Sequence, residues 1–238
     1  MPAAVYRTLR SRKAKNPNPM TFGAEFAYQS SDQFKDYLLC EECEARIRAG
    51  GEDWVLANSP WAGAFPLLDM LRTAQPEWND RDIRIYSFAG IPEIDCTALI
   101  YFAASVFWRA GAHTWRTKRR SVHIDLGPYE ERFRPFLLGQ AQFPQTAALA
   151  LVVLEGGGAY AINPLSRNDD GYHEHQFTIP GMTFTLYVGG RLREELVLMN
   201  LAPARQRYAF IYPRAEDMRI ARLAEFYLQQ RERQMRER

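Results

Sequence analysis

Residues 94–112 limit the fold more than any other part of the chain. They contain "CTALIYFAASVFW", apolar from Cys96 to Trp108 between Asp95 and Arg109, rich in alanine and ending at Gly111. The run predicts a helix that is apolar on nearly every side. Such a helix has to be covered on most of its faces by other elements. It is too short for a membrane span, which takes about 20 apolar residues. A chain of 238 residues, 47% hydrophobic and 24% charged, has the means to supply that cover.

The covering elements follow from periodicity and punctuation. Helix is expected over 41–49 with Gly50-Gly51 as its stop, over 66–73, and from Pro128 to a stop at Gly139. "DIRIYSFAG" reads as a strand with Ile83 and Ile85 on one face against Arg84 and Tyr86. "TAALALVVLE" reads as a buried strand, and "HQFTIPGMTFTLYVGG" as a hairpin turning at Pro180-Gly181. A closing helix is expected over about 214–231, where Ile220, Leu223, Phe226 and Tyr227 fall at helical spacing. Residues 1–35, broken by "KNPNPM", read as irregular. The expected class is α+β. A small knuckle over residues 1–60 packs against a domain over 61–238, built of a helical centre, a short antiparallel sheet and a C-terminal helix.

The chain has three cysteines, and two of them, Cys40 and Cys43, form a Cys-x-x-Cys at the start of the first predicted helix. The spacing lets both sulfurs converge on one zinc, but zinc takes about four ligands. Cys96 reads as a packed core thiol. His173 and His175 share a strand face by the period of two and are candidates for the missing ligands, against a reading as exposed loop-edge residues. His123 and Asp125 share a face by the same rule, as a general base and its orienting carboxylate would. His113 reads as a cap or surface residue. A redox dithiol is a further reading of the cysteine pair, opposed by Glu41 and Glu42, whose carboxylates raise thiol pKa values.

An odd cysteine count with two thiols in one short motif argues against a secreted disulfide framework, and residues 1–20 have no apolar signal segment. A soluble cytoplasmic protein is the expectation. Arg7, Arg10, Arg12, Lys13 and Lys15 form a basic segment without acids, and Arg116, Lys118, Arg119 and Arg120 form a second one. These are candidate phosphate-backbone contacts, weighed against a solvated, idle surface. "EGGGAYAINP" lacks the Gly-Lys-Ser/Thr of a P-loop, and "GYHEHQ" lacks the helical His-Glu-x-x-His of a metalloprotease. The five tryptophans read as core and rim packing.

The stretch "YLLCEECEARIRAGGEDWVL" resembles the second half of the zinc knuckle in a group of bacterial proteins related in their metal site to HNH-type, treble-clef folds. Cys40, Cys43, Glu44, Gly51, Glu52 and Trp54 carry the resemblance. "LIYFAASVFWRAGAHTW" and "LGPYEERFRPFLLG" are similar to the helical centre of such proteins. The resemblance implies two further zinc ligands in an upstream Cys-x-x-Cys followed by a Ser-His motif and a proline. Met1 and Pro2 resemble the end of that segment, so the expectation is a chain that begins after the residues completing the site.

The leading expectation is a non-catalytic protein with a structural zinc knuckle that binds nucleic acid or another protein, with no membrane partner. An HNH-type, metal-dependent nuclease working through His123 or His173 is one alternative, and a dithiol redox protein is another.

Overall fold

In the computed structural model the described residues are 5, 9, 20–22, 27–29, 36, 38–80, 83–116, 121–156, 160–169, 172–198, 200–202 and 208–212. The expected closing helix at 214–231 lies outside them. The class is α+β, and the expectation of a short antiparallel sheet is corrected. Strands β1 (Met20–Phe22), β2 (Ala27–Gln29), β3 (Trp78–Asn79), β4 (Arg84–Ser87), β7 (Ala147–Leu154), β8 (Ala161–Asp169), β9 (Tyr172–Ile179), β10 (Met182–Val188) and β11 (Tyr208–Tyr212) form one nine-stranded sheet. Its order is β2-β1-β8-β9-β10-β7-β11-β4-β3. The sheet is mixed, because β1 runs parallel to β8 and β11 parallel to β7. A separate pair, β5 (Trp115–Arg116) and β6 (Ser121–Val122), makes a small antiparallel ribbon.

The centre of the sheet is the predicted hairpin. Ile179 pairs with Met182 across Pro180-Gly181, and Gly181 has φ +74°. A Pro-Gly turn of type II needs that positive φ at its second central residue. A side chain at Gly181 would also strike Pro60 and Phe65 at 2.5 and 2.7 Å, so the turn lies packed beneath that segment. One face carries Phe177 opposite Phe184 and Phe184 opposite Leu151, and the other face is buried as well, with Thr178, Thr183, Thr185, Ala148 and Ala150 all shielded.

The predicted central helix is α4 (Cys96–Ala112), in chain order after α1 (Glu41–Ile47), α2 (Asp53–Ala57) and α3 (Pro66–Thr73). Asp95 caps it, accepting from Ala98 N–H at 2.9 Å. On one side Phe102 and Phe107 meet Phe177 edge-on, with ring centroids 5.9 and 4.9 Å apart, and Phe102 meets Phe184 at 5.6 Å. Each such burial contributes about 2–3 kcal/mol, and the edge-to-face geometry adds about 1 kcal/mol per pair. On the opposite side α4 is covered by the helical run from Glu41 to Ala57 and by α5 (Glu130–Leu137). Its all-round apolar character is thereby accounted for. Val5 and Val55 belong to the same apolar cluster as Leu149, Phe184 and Ile211.

Gly50-Gly51 does not stop the first helix. A π-helical turn, Arg48–Glu52, joins α1 to α2 without a break. The glycines are required by contact instead. A Cβ at Gly51 would lie 2.6 Å from the Ala98 carbonyl oxygen and 2.7 Å from Phe102 N. One at Gly50 would lie 2.6 Å from the Tyr101 ring. Two backbones approach here as only glycine permits. Gly139, by contrast, does end α5 as expected. It has φ +73° and donates to Phe136 O, while Gln140 N–H donates to Pro135 O, the paired bonds of a Schellman motif.

The facing of β4 is the reverse of its expected one. Tyr86 is buried and Ile85 only partly so, because Ile85 pairs with Trp78 near the sheet edge. Among the described residues no helix is long and apolar enough to cross a membrane.

Candidate dithiol site

Cys40 stands at the cap of α1 in extended backbone (φ −73°, ψ 165°), and its carbonyl accepts from Glu44 N–H at 3.0 Å. Glu41, Glu42 and Glu44 crowd the first turn, where carboxylates oppose the helix dipole favourably. Arg46 pairs with Glu42 one turn on, at 3.2 Å. Although Cys40 precedes the helix, its side chain turns to Cys43, and the two thiols are close enough to hydrogen-bond to each other. Cys40 is exposed, Cys43 half-buried and both are free thiols.

The two sulfurs differ in acidity. Cys40 Sγ makes no full capping hydrogen bond, yet the N–H of Cys43 faces it and holds its pKa below the usual thiol value, with the Cys43 thiol adding to the effect. The Cys43 thiol is pushed up, first because it faces Cys40 as a donor and then by partial burial. Glu42 raises both, as expected from its charge, but at Cys40 the Cys43 donors outweigh it.

Beside the pair a cavity of about 440 Å³ opens between α1, α4 and α5. Both cysteines line it. Ile47, Tyr101, Trp108 and Leu137 form an apolar floor, and Arg46, Glu130, Glu131 and Arg134 lie around its rim. Tyr101 OH donates to Leu137 O at 2.6 Å, tying α4 to α5 across the floor. Trp108 Nε1 is sealed in the wall with no hydrogen-bond partner among the described residues. Sequence reasoning missed this cavity. The available signal was Tyr101 and Trp108, aromatic residues with polar atoms seven apart on an otherwise apolar helix, and hence on one face.

The remaining candidates do not join the cysteines. His173 and His175 stack at 6.4 Å between ring centroids, on one face of β9 as the period of two requires. They are not exposed at a loop edge. His175 is fully buried, with Nδ1 2.8 Å from Ser166 Oγ and Nε2 without a partner among the described residues. His123 and Asp125 fall beyond β6 and flank the buried Ile124, whose N–H donates to Ala110 O. The two share the outward side as expected, although outside a regular strand, and Asp125 accepts from Gly127 N–H at 2.8 Å in a local turn. His113 caps α4 as expected, with Nε2 2.7 Å from Asp36 Oδ2, and Cys96 is buried in the core. Among the described residues no three of the His, Cys, Asp and Glu side chains are grouped to hold a metal ion. Arg116 is exposed; Arg7, Arg10, Arg12, Lys13, Lys15, Lys118, Arg119 and Arg120 lie outside the described residues.

Burial first, and the neighbouring His173 second, lower the His175 pKa from 6.5 to about 4, against a smaller pull from Asp125. The folded chain thus keeps this imidazole neutral where the unfolded chain protonates it. Stability from this group is complete above pH 6.5 and falls as the pH drops towards 4. Lowering the pH from 7 to 5 is expected to cost about 2 kcal/mol through His175. Denaturant unfolding at both pH values checks this, with His175→Gln flattening that part of the profile. An unchanged slope in the variant would assign the loss to other groups.

No family model, curated protein or solved structure matches the chain.

Proposed function

We propose that Cys40 and Cys43 form a two-thiolate clamp for a zinc ion in a protein that works by binding a partner, without chemistry of its own on that partner. The observation that carries this reading is the convergence of the two thiols, one exposed and one half-buried and within hydrogen-bond reach of each other, at the start of α1. Two thiolates in a field already made negative by Glu42 are a favourable place for a dication, which relieves the repulsion that a bare thiolate pair would meet. The other two ligands come from outside the described residues, and a second copy of the chain offers an identical pair. The partner class is nucleic acid or protein, with the basic segments at residues 7–15 and 116–120 as the charged contact surface. The nuclease alternative has less support, because His123 stands apart on an irregular segment and His173, half-buried on β9, belongs to no metal-holding group among the described residues.

Zinc content of the purified chain, compared with Cys40→Ser and Cys43→Ser, tests the clamp. About one ion per two chains in a dimer, lost in both variants, is the result for a shared four-thiolate site. Zinc at background level in wild type and variants alike would overturn the reading. For the partner, nucleic-acid affinity that falls steeply between low and moderate salt is expected. It should weaken when Arg7, Arg10, Arg12, Lys13 and Lys15 are neutralised together.

A further inference from the structure

We propose, resting on the clamp reading above, that the clamp is opened by oxidation. A small zwitterionic disulfide enters the adjoining cavity, is reduced there by Cys40 and Cys43, and leaves the two cysteines joined and the ion released.

Three features carry this. First, the cavity of about 440 Å³ has both cysteines in its wall, so a molecule seated in it is in contact with the clamp. Second, the two sulfurs are unequally reachable, with Cys40 exposed and Cys43 half-buried. A disulfide entering from solvent meets Cys40 first, and Cys43 is then placed to attack Cys40 from within. Cys96, buried in α4, takes no part. Third, the rim carries both signs of charge. Glu130, Glu131 and Arg134 form no ion pair with any described residue, although Arg134 sits one turn from both acids, whereas Arg46 is held by Glu42. A ligand with carboxylate and ammonium groups finds a partner for each, and its apolar middle meets Trp108 and Leu137. Disulfides of amino-acid or peptide thiols have that composition.

The steps balance. The Cys40 thiolate attacks one sulfur of R–S–S–R, forming Cys40–S–S–R and releasing R–S⁻. Cys43, as thiolate, attacks Cys40 Sγ, forming the Cys40–Cys43 bond and releasing the second R–S⁻. Two electrons pass from the cysteine pair to the disulfide. The two released thiolates take protons from water or accompany the departing ion.

The test uses the full chain, reduced and then treated with glutathione disulfide or with uncharged hydroxyethyl disulfide. Mass spectrometry follows the cysteines and elemental analysis follows the ion. Loss of two hydrogens at Cys40 and Cys43, with release of any bound zinc, is expected. Cys43→Ser should accumulate a mixed disulfide on Cys40, while Cys40→Ser should accumulate far less adduct. Arg134→Gln should slow the reaction with glutathione disulfide about fivefold while leaving hydroxyethyl disulfide unaffected. Equal slowing of both reagents, or none, would overturn the assignment of the cavity to a charged ligand. Zinc held by a chain whose Cys40 ignores both reagents would overturn the exchange and leave the clamp intact. A Cys40–Cys43 bond forming in a chain that never held zinc would overturn the clamp and leave the exchange standing.

Discussion

Gly51→Ala is expected to destabilise the chain by about 3 kcal/mol. In an ordinary helix interior the same change stabilises by about 1 kcal/mol, because alanine gives up less backbone entropy. Here the contact outweighs the propensity. The added methyl would stand 2.6 Å from the Ala98 carbonyl oxygen, 2.7 Å from Phe102 N and 3.0 Å from Phe102 Cβ. The first two are backbone atoms in the N-terminal half of α4, which cannot turn aside as a side chain does. Relief comes only by moving the whole run from Glu41 to Ala57 away from α4, which uncovers Val55 and loosens the wall behind Cys43. Gly50→Ala is the internal comparison. Its methyl meets the Tyr101 ring, a side chain, and should cost about 1 kcal/mol. Gly90→Ala has nothing within 4 Å and should change stability by less than about 0.5 kcal/mol. Urea midpoints of the three variants check the order. A Gly51→Ala chain as stable as wild type would mean that the two helices are not in the close contact described.

The contrast between Gly51 and Gly139 shows where the sequence was legible. Both follow a helical pattern, and both were read as stops. At Gly139 the local rule held, since the left-handed residue and its two bonds are made within a few positions of chain. At Gly51 the deciding contact is with Ala98 and Phe102, nearly fifty residues away, and no local pattern reports it. The same division runs through the sheet. The β9–β10 hairpin and β7 were readable because alternation, β-branched residues and a Pro-Gly turn coincide. Strand β8, "AINPLSRND", was not, because Pro164 and the polar residues around it read as loop. Its place beside β9 is fixed by pairing with a strand already formed, and the register shift between Ile162 and Leu165 falls beside that proline. Strand β11 lies between β7, to which it runs parallel, and β4, to which it runs antiparallel, and its place depends on both distant partners. The candidate site divides in the same way. The cysteine pair is visible as spacing, whereas the cavity beside it needs α1, α4 and α5 assembled, so Arg134 carried no signal of its own and Tyr101 with Trp108 gave only a shared helix face.

Arg109→Met should cost about 4 kcal/mol, more than any other single change considered for this chain. Arg109 Nη2 donates to Glu52 Oε1 at 2.6 Å, and the two side chains are only 12% and 14% exposed. The guanidinium also donates from Nε to Ser105 O at 3.2 Å. The Arg109 carbonyl accepts from Trp115 Nε1 at 2.7 Å. Methionine keeps most of the apolar stem but leaves the Glu52 carboxylate facing a nearly dry groove with no cation. The penalty is chiefly that stranded charge, not the worth of the pair. Glu52→Gln, which keeps an acceptor for Arg109, should therefore cost only about 2 kcal/mol. The double variant, Glu52→Leu with Arg109→Met, removes both charges and should recover at least about 1.5 kcal/mol relative to Arg109→Met alone. Strict additivity in that cycle would show that the two groups are solvated separately. The pair also bears on the dithiol, because Glu52 belongs to the π-helical turn that joins the cysteine helix to α2. If the ion pair pins that turn to α4, Arg109→Met at a temperature where the chain stays folded should weaken the zinc retention proposed for Cys40 and Cys43. Unchanged retention would confine its role to stability.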